Sequence, residues 1–182
     1  MKIKYCIGYV VLFSLCINAS YGQDSWKIDS AQVVFHINNA GLDVTGSIAG
    51  ISGNIKFSKN KLTKSSFIAS AKSETIQTGI KLRDKHLKKA DYFDVEKYPI
   101  MTISSKQITK AKNGFEATCT LSLKGQNKDI VIPFTFDQTT TKAQLKGSFE
   151  LNRLDYGIGE KSIILSDQVR IEIWVSATAV MN

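Results

Sequence analysis

Apolar and polar residues alternate with period two along much of the chain, the mark of strands that bury one face. In 115–124, Phe115, Ala117, Cys119, Leu121 and Leu123 share one face while Glu116, Thr118, Thr120, Ser122 and Lys124 share the other. Residues 169–177 repeat the pattern, with Val169, Ile171, Ile173, Val175 and Ala177 set against Arg170, Glu172, Trp174 and Ser176. The same alternation predicts strands at 33–38, 53–57, 66–73, 101–105, 130–136 and 143–151, and a less regular one at 44–48. Asn113-Gly114 and Gly125-Gln126-Asn127 supply hairpin turns, because Gly and Asn accept positive φ at little cost. Pro133 lacks an N–H inside an apparent strand, which predicts an edge or a bulge there.

One segment departs from the period. Residues 82–99, LRDKHLKKADYFDVEKYP, are rich in helix formers and place Leu82, His86, Ala90 and Phe93 at helical spacing, so a short helix is expected, ending before Tyr98-Pro99. Many short strands with one or two brief helices indicate an all-β domain, either a closed antiparallel barrel or a sandwich. The pattern alone leaves both open.

The ends change the picture more than the composition does. MKIKY, the apolar run 6–17 and NASYG before Gln23 follow the order of a secretory signal peptide, which assigns 1–22 to export and 23–182 to one domain. The apolar run is too short to span a bilayer, and Phe13-Ser14-Leu15 lacks the small residue that lipoprotein processing needs before Cys16. A cleaved signal implies a periplasmic or secreted protein. It also removes Cys6 and Cys16, leaving Cys119 alone and no internal disulfide. The formal charge of +8 falls to +6 without Lys2 and Lys4. The lysines are scattered, so the charge reads as solubility, and export argues against a nucleic-acid partner.

Candidate chemistry is sparse. After Gln23 the imidazole and thiol inventory is His36, His86 and Cys119, in no recognised metal-ligand spacing, and Cys119 shares the core parity of Phe115 and Leu121. No G-x-S-x-G elbow is present, and Gly157-Ile158-Gly159 reads as a tight turn rather than a phosphate loop. Asp84, Asp91 and Asp94 lie among basic residues and are expected in surface ion pairs. Arg83, Lys85, Lys88 and Lys89 read either as a basic rim for a lipid headgroup or membrane surface or, the preferred reading, as a solvated helix face. Neither a catalytic residue, a metal nor a cofactor is expected. Phenylalanines at 35, 57, 67, 93, 115, 134, 136 and 149 are spread over nearly every element. They would serve equally as interior filling or as the wall of a ligand tunnel.

RDKHLKKADYFDVEKYP, residues 83–99, resembles the signature of the YceI-like family of exported polyisoprenoid-binding proteins. WKIDSAQVVFHI, GSIAGISGNIKFS, LSLKGQNKDIVIPFTF, LNRLDYGIG and LSDQVRIEIWVSA extend the resemblance over essentially the whole mature chain. It implies an extended, lipocalin-like antiparallel β-barrel of about eight strands holding a polyisoprenoid, an isoprenoid quinone or a fatty-acid-like amphiphile, a binding protein and not an enzyme. Parity then nominates Phe35, Ile37, Phe57, Phe67, Phe115, Leu121, Phe134, Phe136 and Phe149 as lumen-facing ligand contacts, with Leu87 and Phe93 covering the barrel. The chain departs from the family at HINNAG, where many relatives carry a histidine near Asn39, and at Lys88-Lys89-Ala90, where Arg-Ser is commoner; both bear on the headgroup. An apolar lipid is the expected partner, with transient membrane-surface contact and either a monomer or a homodimer left open. The alternatives are a stress-related interaction protein with a filled barrel and an enzyme acting on isoprenoid lipids.

Overall fold

The computed structural model describes residues 25–180, so the export signal read at the amino terminus lies outside the described residues. Nine strands follow in order: β1 (Ser25–Asn39), β2 (Leu42–Ile48), β3 (Ser52–Lys56), β4 (Ser66–Lys72), β5 (Ile100–Ala111), β6 (Gly114–Leu123), β7 (Gln126–Gln138), β8 (Lys142–Asn152) and β9 (Gln168–Ala179). Every pairing is antiparallel and joins sequence neighbours, apart from β1 with β3 and the β1–β9 pairing that closes the sheet. The result is a barrel and not a sandwich.

Nine strands make an eight-stranded barrel because β2 and β3 act as one. Val33 pairs with Ile48, and six residues further along each strand Lys27 pairs with Asn54, so both lie in one register against β1. Between them the chain leaves the ladder at 49–51. β3 then pairs with β4, whereas the free edge of β2 is met, among the described residues, by an isolated bridge to Gln77, whose N–H and C=O exchange hydrogen bonds with Ser47 at 3.0 and 2.8 Å. The wall is thus open beside β2, and the long β4–β5 connection fills the opening.

Up-and-down connectivity sorts the loops by end. One end carries the β1–β2 and β6–β7 hairpins and two long connections, 73–99 and 153–167; the other carries 57–65, 112–113 and 139–141 with the first and last described strand ends. The 73–99 excursion is clasped at its base, where Ser73 N–H donates to Pro99 O at 2.8 Å and the Ser73 hydroxyl to Tyr98 O at 2.7 Å. Within it α1 (Lys81–Leu87) is shorter than the spacing predicts. Beyond Leu87 the N–H groups of Phe93, Val95 and Asp94 turn back to the carbonyls of Leu87, Lys88 and Lys89, and Asp94 adopts φ +48, so the chain folds over itself. Leu82 accordingly faces solvent rather than the barrel.

Gly114 and Gly125 take positive φ in the two expected hairpins. Pro133 pairs with Glu116 without a bulge and lies one residue beyond the β7–β8 ladder, which begins at Phe134; the edge reading, not the bulge, describes it. Real bulges fall at Asp29 in β1 and Lys106 in β5. Each is tied down outside the barrel: Asp29 accepts from Thr178 and Lys142, and Asp129 accepts from Lys106 at 2.7 Å. These donors hold both carboxyls below their ordinary values.

Candidate functional site

The interior divides along its axis. At the loop-poor end Trp26, Phe57, Phe115, Phe134 and Phe136 pack into one cluster, with Phe57 4.4 Å from Phe136 and 4.9 Å from Phe115 between ring centroids. Trp26 meets Phe136 edge-on at 5.5 Å and donates its indole N–H to Phe57 O at 3.1 Å, so its one polar atom is satisfied while buried. Ala117, Cys119, Ala143, Ala177 and Ala179 fill the space between. Burial alone pushes the Cys119 thiol up to about 12.

Above this floor a second buried cluster forms toward the mouth, with Phe35, Met101, Leu123, Leu151, Tyr156 and Val169 packed together. A cavity of about 440 Å³ remains, walled by Ile28, Val33, Phe35 and Ile37 of β1, Leu145 and Phe149 of β8, and Val169, Ile171, Ile173 and Val175 of β9. Two glycines shape it. Gly46 lies opposite Phe35, and a β-carbon there would fall 2.1 Å from the Phe35 Cζ, so only glycine lets that ring lie against β2. At Gly147 a β-carbon would stand 3.2 Å from Ile132 and 3.3 Å from Phe134, narrowing the cavity just above its floor.

Polar groups gather at the loop-rich end. Thr78, Arg83, His86, Tyr92 and Arg153 all border the cavity. Arg83 Nε donates to the Thr78 hydroxyl at 2.7 Å, which in turn donates to Asp84 at 2.6 Å, and Asp84 also accepts the Thr78 N–H. His86 stacks edge-on with Tyr92 at 4.9 Å. Arg153 is only 2 % exposed, yet its guanidinium reaches the carbonyls of Ile158, Glu160, Leu165 and Ser166 and the Asp167 carboxylate, so the buried charge is fully engaged. It pins 158–167 as one side of the mouth, which Gly159 N–H joins to the 73–99 excursion through Asp91 O at 2.8 Å.

Eight of the nominated residues border this cavity: Phe35, Ile37, Phe67, Leu87, Phe93, Leu121, Phe134 and Phe149. The other three do not. Phe57, Phe115 and Phe136 point inward but are packed into the floor, because parity fixes which face a residue takes and not how far along the axis it lies. The nominations left out Val169, Ile171, Ile173 and Val175 of β9, although the parity reading had already put them on one face with Ala177. His86, Tyr92 and Arg153 were not nominated as cavity residues, and Arg83 entered only through the less favoured reading of a basic headgroup rim.

Other expectations change. Among the described residues Asp84 is held by Thr78 and not by a neighbouring cation, and neither Asp91 nor Asp94 forms an ion pair; Asp91 meets the 153–167 connection through its backbone carbonyl, which accepts the Gly159 N–H. Arg83 is drawn off the solvated helix face to Thr78. His36 shares the outer parity of β1, contacting Thr45 at 3.2 Å, whereas Cys119 is buried in the floor cluster. Among the described residues no His, Cys, Asp and Glu group is arranged to hold a metal.

Against known proteins, residues 26–177 match the family model for a YceI-like domain. A UPF0312 protein of Vibrio cholerae is 27% identical over 167 residues, covering 86% of this chain and 88% of its own. The structure of Burkholderia cenocepacia BcnA superposes with a TM-score of 0.78 at 22% identity, over 81% of this chain and 96% of that one. A polyisoprenoid binding domain from Saccharophagus degradans, implicated in plant cell wall breakdown, gives a TM-score of 0.64 at 15% identity, over 85% and 98% of the two chains. At these identities the two structures speak to the shared fold.

Proposed function

The chain belongs to the YceI-like family, and from that premise we propose that it binds a long apolar chain in the barrel lumen, outside the cytoplasm, and carries or stores it. The ligand class is a polyisoprenoid, an isoprenoid quinone or a fatty-acid-like amphiphile. One observation carries the reading: the upper interior is an unfilled apolar cavity of about 440 Å³, within the roughly 300–1,000 Å³ typical of small-molecule sites.

The energetics suit binding without catalysis. Each methylene moved from water into such a lumen contributes about 0.8 kcal/mol, and ordering the chain offsets part of that. The barrel wall is already held by its backbone ladders, so little ordering falls on the protein. An amphiphile would lie with its tail toward Phe67 and Phe134 and its polar end toward Thr78, Arg83, His86 and Tyr92. That orientation matches apolar to apolar along the cavity and leaves the headgroup among hydrogen-bond donors.

Native mass spectrometry of the protein purified from its own host, followed by solvent extraction, tests the reading. A co-purifying lipid of this class is expected, with its mass retained on the folded protein. A folded, empty protein that also refuses added prenols and fatty acids would overturn it.

A further inference from the structure

Large aliphatic side chains are exposed where the cavity opens. Leu82 is 81 % and Leu42 72 % exposed, Ile163 is fully exposed, and Ile80 and Ile164 are more than half exposed. All five belong to the loop-rich end, and each lies within two residues of a cavity-lining residue: Ile80 of Thr78, Leu82 of Arg83, Leu42 of Val44, and Ile163 and Ile164 of Leu165. Ala40 N–H donates to Ile164 O at 2.6 Å, which fastens the Ile163–Ile164 tip to the hairpin bearing Leu42. The floor-end connecting loops expose no large aliphatic residue, although Val180 at the last described strand end is 40 % exposed and Ile68, Ile100 and Val131 stand singly along the wall.

Charge accompanies the greasy rim. Lys81, Lys85, Lys88 and Lys89 lie along and just beyond α1, and none forms an ion pair with a carboxylate among the described residues. The only acid within that stretch, Asp84, is occupied by Thr78. Protruding aliphatics flanked by unpaired lysines are the makeup of a surface that enters a headgroup layer: side chains insert among acyl chains while ammonium groups meet lipid phosphates.

We infer that the rim formed by Leu42, Ile80, Leu82, Ile163 and Ile164, with the lysines of α1, docks on the surface of an anionic bilayer and sets the cavity mouth against it. The inference rests on the reading of the cavity as a lipid site, for which it supplies the route: a hydrocarbon chain passes between membrane and lumen without crossing water. Exposed apolar surface at a mouth would otherwise favour association with a second copy of the chain. The lysine cluster opposes that arrangement, because two such rims brought face to face place like charges together.

Co-sedimentation of the full chain with phosphatidylcholine vesicles and with mixed phosphatidylglycerol/phosphatidylcholine vesicles tests this. The protein is expected to partition onto the anionic vesicles. The doubly substituted Leu82→Ser/Ile163→Ser protein should partition roughly tenfold less, and Lys85→Glu/Lys89→Glu should lose the preference for phosphatidylglycerol. Both pairs are on exposed positions and should retain uptake of a water-soluble fluorescent fatty acid. Absence of vesicle binding by the unsubstituted protein, or partitioning unchanged in both variants, would overturn the proposal. So would a solution dimer that Leu82→Ser/Ile163→Ser dissociates, since the rim would then be covered by a second copy. Docking without any fatty-acid uptake would uphold the docking surface and count against the cavity reading alone.

Discussion

The two ends of this barrel are built from the same strands, yet they pack their inward side chains differently. At the floor, Phe57 touches Phe115, Phe134 and Phe136 in one aromatic cluster, closed by Trp26. Toward the mouth, Phe35, Met101, Leu123, Leu151, Tyr156 and Val169 form a second buried cluster, and the inward residues of the neighbouring strands β1, β8 and β9 line a cavity beside it. Packed aromatics gain dispersion on every side, whereas a residue lining a void gains it only on the protein side. Both ends therefore carry a packed cluster, but the floor closes the lumen with interlocked aromatic rings while the more aliphatic cluster above it leaves a cavity unfilled.

Substitutions at matched positions break or sharpen that contrast. Phe57→Ala removes a ring packed on all sides and should cost about 3–5 kcal/mol in chemical denaturation. Phe149→Asp, at a half-buried cavity wall, should instead leave a folded protein whose retention of a fluorescent fatty acid falls roughly a hundredfold, about 2.7 kcal/mol. Equal loss of stability in both variants would erase the distinction between floor and wall. Ile173→Phe adds volume opposite Gly147, where the cavity has room. Its expected outcome is near-unchanged stability with fatty-acid binding weakened about tenfold, where the same enlargement in the floor would strain the core.

The smallest effect is a pH dependence belonging to the packed regions. Burial raises the Cys119 thiol from an ordinary 9.0 to about 12 and, chiefly through burial with a lesser contribution from Asp155, the Tyr156 phenol from 10.0 to about 12. Between those values the unfolded chain has released protons that the folded chain still holds, so stability is full below pH 9 and declines as pH rises toward 12. Cys119→Ala should flatten the lower part of that decline in denaturation midpoints taken at successive alkaline pH values. An unchanged slope would show that the thiol is not the group being held neutral.

Much of the fold was legible in the alternation, and the misses have a common cause. β6 and β9 were read nearly end to end because no irregularity interrupts their period. β1 was read only from 33 and β5 only to 105, and each runs past a bulge. At Asp29 the inward set changes from Trp26 and Ile28 to Ala31, Val33 and Phe35. At Lys106 it changes from Met101 and Ile103 to Ile108. A bulge inserts one residue and reverses parity, so a strict period-two reading ends there. The helix was overextended because composition favours helix through Ala90, while the tertiary demand to bring Tyr92 and Phe93 onto the cavity bends the chain after Leu87.

The site was legible by face but not by depth. Phe57 and Phe149 are indistinguishable in a one-dimensional pattern, and only the three-dimensional stagger of strands places one in the floor and the other on the wall. Arg153 gave no sign of its role, since its five acceptors are mostly backbone carbonyls of a loop with no periodicity.

The division of the interior is tested most directly by photolabelling with a diazirine-bearing prenol, followed by peptide mapping of the crosslinks. Labels should fall on the upper wall, around Val33–Ile37, Leu145–Phe149 and Val169–Val175. Labels concentrated on Phe57, Phe115 or Phe136, or spread over the outer surface with none inside, would contradict it.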